Sequence, residues 1–81
     1  MAKSLHTPEY EQFRSLLVAA REKAGLTQAD VSTRLGRPQS FVAKYEGGER
    51  RLDVVEFVHV CAALNVDPQA VLKDLQDRMG A

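Results

Sequence analysis

Along this chain apolar residues fall mostly three and four apart, the spacing of helices rather than strands. Tyr10, Phe13, Leu17, Ala20 and Ala24 recur in this way with charged residues between them. Thr7 before Pro8 and Glu9 supplies a capping hydroxyl, a first-turn proline and an acid at the positive helix end. Gly25 closes this first helix. Thr27 with Asp30 forms a variant capping box, across which Leu26 can staple onto Val31. Asp53 with Glu56 repeats the device, with Leu52 set against Phe57. Asp67 precedes Pro68, and Val66 can reach Val71. Gly36 and Asn65 stand where helix ends favour a residue tolerant of positive φ. The spacing thus predicts five helices, over 8–24, 27–35, 38–46, 53–64 and 67–78, and no good hairpin. The fold class is all-α, a five-helix bundle.

Residues 26–51, "LTQADVSTRLGRPQSFVAKYEGGERR", hold the second and third helices and the loop after them. Two short helices joined through "LGRP" leave room for a tight turn and a steep crossing. Such a crossing needs a small residue where the helices approach, and Ser32 stands there. It needs apolar inner faces, for which Val31, Leu35, Val42 and Tyr45 are suitably spaced. An ordinary αα-hairpin inside a bundle would satisfy the same constraints.

The outer side of the third helix separates the two readings. Gln39, Ser40, Ala43 and Lys44 share one side, away from Val42 and Tyr45. Gln39 and Ser40 fall in the first turn, the end that enters the major groove in helix-turn-helix docking. A glutamine amide can bond adenine N7 and N6 together, serine can bond either base of a pair, and lysine can reach guanine or phosphate. Ala43 permits close approach or touches a thymine methyl.

Composition narrows the function without deciding it. The 81 residues allow one domain with a modest core, since folding at this size removes only about 60% of the unfolded surface from water. With one cysteine, Cys61, no intrachain disulfide can form, and two distant histidines, His6 and His59, make a poor zinc site. "MAKSLHTPEY" has no apolar signal core, and the apolar run over 54–64 is too short to span a bilayer, so the expected location is cytoplasmic. Eleven basic and eleven acidic residues give a formal net charge of zero. The charges are segregated, however. Arg34, Arg37, Lys44, Arg50 and Arg51 against Glu46 and Glu49 leave +3 over residues 34–52, while residues 53–81 carry −3. A neutral chain can therefore present a basic face to a polyanion.

The segment "LTQADVSTRLGRPQSFVAKYEGGERRLDVVEF" resembles the Cro/repressor-type (XRE) helix-turn-helix family of bacterial and phage transcription regulators. The likeness extends from about residue 13 to residue 75. It rests on "LTQ" at the second helix, small Ser32, "LG" at the turn and "YE" closing the third helix. "ALNVDP" is similar to the family's "ALGV", with Asn65 for the usual glycine. The resemblance implies a lambda-repressor-like fold in which the second and third helices form the helix-turn-helix. It implies base reading by Gln39, Ser40 and Lys44, with Ala43 at a close-approach position. It also implies that Gln28 contacts phosphate and buttresses the reading helix, and that Arg21 and Glu46 form a salt bridge. Arg37-Pro38 departs from the family's Ser/Thr cap, so the reading helix is expected to begin at Pro38. Phe41 beside it either packs on the sugar-phosphate edge or a partner chain, or is a half-buried core residue.

The expectation is a sequence-specific regulator, a repressor acting as a homodimer on a palindromic operator in double-stranded DNA. Phosphate contacts fall to Thr27, Gln28, Arg37, Arg50 and Arg51. The dimer surface is expected on the last two helices, at Val58, Val60, Leu72 and Leu75, because these exceed what so small a core can absorb. Cys61 is expected in the core with Val54, Phe57 and Leu64. No cofactor, metal or small-molecule ligand is implied, nor a membrane partner. An antitoxin of the same fold would need a toxin-binding surface for which no separate segment is present. A protein-interaction module that had lost DNA would lack the Gln, Ser and Lys on the outer face. An enzyme finds no support in nucleophile, metal or phosphate-cradling patterns.

Overall fold

The computed structural model describes residues 7–80, which form α1 (Pro8–Lys23), α2 (Gln28–Leu35), α3 (Gln39–Glu46), α4 (Val54–Leu64) and α5 (Pro68–Arg78). All five predicted helices are present, and the described residues contain no strand. Each helix differs from its predicted range by one residue. At four N-termini the cause is the cap itself, which is extended: Thr27 has ψ 168°, Pro38 152°, Asp53 175° and Asp67 119°. Pro38 therefore precedes α3 rather than beginning it. The predicted position His6 lies outside the described residues.

The capping chemistry read from the sequence is realised bond by bond. The Asp30 amide donates to the Thr27 hydroxyl at 3.0 Å, and the Thr27 amide to the Asp30 carboxylate at 2.8 Å. Asp53 and Glu56 repeat the exchange at 2.7 and 3.0 Å. Each box satisfies two amides that a helix start leaves without partners. At the other end of α2, Gly36 takes φ +68°, so the Arg37 amide can bond back to the Ser32 carbonyl at 3.1 Å. Asn65 does the same after α4 with φ 58°, its neighbour Val66 bonding Cys61 at 2.9 Å. Asparagine is among the few residues besides glycine that tolerate this left-handed geometry.

The core gathers Leu17 of α1, Val31 of α2, Phe41, Val42 and Tyr45 of α3, Phe57, Val60, Cys61, Ala63 and Leu64 of α4, and Val71 of α5. α2 packs on α3 and α4, and α1 on α3 and α5, so α3 is held from two sides. A chain of tilted rings, Tyr10–Phe13–Phe57, with centroids 5.4 and 5.3 Å apart, joins the start of α1 to α4. Ser32 is buried, as a close approach there requires.

Two sequence expectations about α4 fail. Val60 is fully buried rather than available to a partner, and Val54 is 77% exposed rather than in the core. Every residue of "VVEFVHVCAAL" except Glu56 and His59 is apolar, so periodicity alone cannot fix which side faces inward. Packing selects Phe57, Val60, Cys61 and Leu64, at spacings of three, one and three, and leaves Val54, Val55 and Val58 outside. Cys61 occupies the core as expected, and burial pushes its thiol up to about 11. No helix among the described residues is long and apolar enough to cross a membrane.

Candidate nucleic-acid interface

α3 is divided lengthwise. Phe41, Val42, Tyr45 and Glu46 are buried, while Gln39, Ser40, Ala43 and Lys44 are exposed together on the other side. Among the described residues none of the Gln39, Ser40 or Lys44 side chains makes an internal hydrogen bond, which leaves amide, hydroxyl and ammonium for an external partner. The start of α3 is also unusual. Pro38 provides no side-chain cap, and the first intrahelical amide to find a carbonyl is that of Phe41, bonding Pro38 at 3.0 Å. Helix-start amides without a capping side chain are donors suited to an anion.

Behind this face lies a polar knot centred on Glu46, whose side chain is 6% exposed. Arg21 donates to both its oxygens, at 2.7 and 3.1 Å, and to the Leu26 carbonyl at 2.8 Å. Gln28 donates to Glu46 Oε1 at 2.9 Å. The bond to Glu46 raises the Arg21 guanidinium above its ordinary value. Arg14 donates to the Glu46 backbone carbonyl as well. The helix-turn-helix is thereby tied to α1 at the C-terminal end of α3. Through this amide Gln28 of α2 is bonded to the last residue of α3. The Thr27 hydroxyl accepts from the Asp30 amide, and the Thr27 backbone and side chain together hold the exposed Asp30 carboxyl below its ordinary value.

The loop over 47–53 turns sharply because Gly48 takes φ +82° and the Glu49 and Arg50 amides both bond the Lys44 carbonyl, at 2.9 and 3.2 Å. It is braced on α1 by the Leu52 amide donating to the Tyr10 hydroxyl at 3.0 Å. Arg51 is exposed, its guanidinium 4.5 Å from the centre of the Tyr10 ring. Arg50 and Arg37 are placed differently. Arg50 forks onto Glu56 with bonds of 2.9 and 2.8 Å, and Arg37 approaches the same carboxylate at 4.0 Å. Both guanidiniums lie over the Phe41 ring, Arg37 at 4.0 Å and Arg50 at 4.9 Å from its centroid. Phe41 is thus a core residue, 7% exposed, that carries a cationic lid. The Arg50 fork and the Asp53 amide hold the Glu56 carboxyl down at about 2.

Counting charge by segment did not foresee this arrangement. Glu56 belongs to the acidic third of the chain, yet it sits among the arginines of the basic third. The only sequence signal was its place in the capping box, which fixes it in the first turn of α4.

A helix-turn-helix domain family matches residues 12–75. The chain belongs to the XRE-type helix-turn-helix family. An XRE-family like protein from Pseudomonas syringae pv. tomato is 48% identical, with a TM-score of 0.84 over 86% of this chain and 85% of that one. The restriction-modification controller C.AhdI from Aeromonas hydrophila is 25% identical, with a TM-score of 0.73 over 80% and 98% of the two chains. The controller C.Esp1396I, solved as a tetramer with its natural 35 base-pair operator, shares the fold at 14% identity, with a TM-score of 0.82 over 94% and 100%. No curated protein sequence matches. Within the XRE frame α2 and α3 are the helix-turn-helix, and the outer side of α3 is its open surface.

Proposed function

We propose that this XRE-type domain is a sequence-specific DNA-binding repressor that reads a palindromic operator as a homodimer. One observation carries the proposal: the polar side chains of α3, Gln39, Ser40 and Lys44, stand exposed on a helix whose opposite side is locked into the core. A rigid helix with outward donors and acceptors suits the major groove, where each base pair presents its own pattern. Ala43 lets the helix approach closely. Phosphate clamping falls to the uncapped amides at the start of α3, to Thr27, and to Arg37 and Arg51 at the rim, while Arg50 is engaged by Glu56. Gln28 acts mainly through Glu46, which places α3. The operator complex of C.Esp1396I supports duplex DNA as the partner of this fold.

For the dimer, the outer side of α4 and α5 is the surface to consider. Val58 and Leu72 are 45% and 49% exposed, and Val54 and Val55 adjoin Val58 on the same side of α4. Leu75 is half-buried at the margin, and Val60 has no part in it. A two-fold pairing would set the two reading helices about one helical turn, roughly 34 Å, apart. Repression follows from occupying a promoter that polymerase needs.

Selection of bound sites from random duplex DNA tests the whole proposal. Two inverted half-sites with centres about 10 base pairs apart are expected. Recovery of no consensus, or of one unpaired site at every concentration, would contradict it.

A further inference from the structure

Glu56 is held by the backbone before it is held by the arginines. Its carboxylate accepts the Asp53 amide at 3.0 Å as half of the α4 capping box, so its position follows from the start of that helix. Arg50 and Arg37 come to it from the two loops that flank α3. Arg37 stands two residues before α3 begins and Arg50 four after it ends. Carboxylate and phosphate offer an arginine fork the same pair of acceptor oxygens. The Phe41 ring under both guanidiniums keeps them at the edge of the reading surface whichever anion they face.

We propose that Glu56 is an internal stand-in for DNA phosphate, holding Arg37 and Arg50 in the free protein and setting how strongly the domain grips DNA of any sequence. This rests on the reading that α3 faces a duplex. The two arginines contribute unequally. Arg37, 43% exposed and 4.0 Å from the carboxylate, gives up little on turning to a phosphate. Arg50 would surrender two short charge-assisted bonds and stays with Glu56. Sequence-independent binding is thus kept weak, and a larger share of the discrimination falls to Gln39, Ser40 and Lys44. One of the eleven acidic residues that balance the chain's charge is thus placed where it limits the grip.

Glu56→Gln tests this, because glutamine can still accept the Asp53 amide and preserve the box. Binding of wild type and E56Q to a labelled duplex of random sequence is measured across a salt series, with thermal melts to verify folding. E56Q is expected to bind several-fold more tightly at low salt. Its log–log salt slope is expected to steepen by about 0.9 for each chain bound, one released phosphate contact. Between about 50 and about 200 mM salt that is roughly a 3–4-fold greater loss of affinity per chain. The same substitution in an R37Q/R50Q background should change neither quantity. Unchanged or weaker binding by folded E56Q would overturn the inference, as would an equal gain in the R37Q/R50Q background, which would mark a general charge effect. Wild type that binds random duplex while E56Q behaves identically removes this inference alone. Wild type that binds neither random nor selected duplex removes the DNA reading beneath it as well.

Discussion

Two carboxylates in this small protein each gather basic side chains, and they do so in opposite settings. Glu46 is sealed: it is 6% exposed, its Arg21 partner 14%, and Gln28 completes its bonding. Glu56 stands at a rim: it is 16% exposed, with Arg50 at 39% and Arg37 at 43%. A buried pair cannot lose one partner without stranding a charge away from water, whereas a rim pair exchanges with solvent or an incoming anion. The first therefore fixes where α3 lies. The second leaves its arginines within reach of whatever α3 meets.

The largest effect that could break this contrast is at Arg21. Arg21→Ala leaves Glu46 to Gln28 alone, and the expected loss of folding free energy by urea denaturation is about 3–5 kcal/mol. A loss below about 1 kcal/mol would place Glu46 in the same class as an exposed pair.

Acid titration gives the next effect. The Glu56 carboxyl is held at about 2 against an ordinary value of 4.5, so the folded state favours its ionised form. That contribution is complete above about pH 5 and is lost as pH falls from about 4.5 towards 2. The stability difference between wild type and E56Q should therefore close over that window in thermal melts. A difference that grows towards low pH would contradict the pairing. Smaller still, Arg37→Ala should cost folding less than about 1 kcal/mol, because its ion pair is long, at 4.0 Å, and stands at the solvent-exposed rim. It should nevertheless weaken binding to all duplexes alike, and a change confined to one base pair would reassign Arg37 to base reading. At the bottom of the scale, Cys61 should resist thiol reagents at neutral pH as long as the fold holds, since it is fully buried with a raised thiol.

The same contrast shows what the sequence made legible. Features set by residues three or four apart were readable: the Thr27–Asp30 and Asp53–Glu56 boxes, the left-handed Gly36 and Asn65, and the outward set Gln39, Ser40, Ala43 and Lys44. Arg21 and Glu46 came only through family resemblance, because nothing local joins residues 25 apart. The Phe41 lid and the capture of Arg37 and Arg50 by Glu56 depend on two loops folding back to one helix start, which charge counted along the chain cannot report. Inside α4 the failure was of another kind. A nearly all-apolar helix has no polar side to mark its orientation, so Val60 and Val54 exchanged places between expectation and structure.

Base reading by the outer side of α3 is the property on which the proposed function depends. The direct measurement compares wild type and Gln39→Ala on a selected operator and on all its single-base variants, at one fixed salt concentration. Discrimination is expected to fall by about 1–3 kcal/mol at one base pair in each half-site and to persist elsewhere. Uniform weakening across every variant, or no change at any position, would contradict the account.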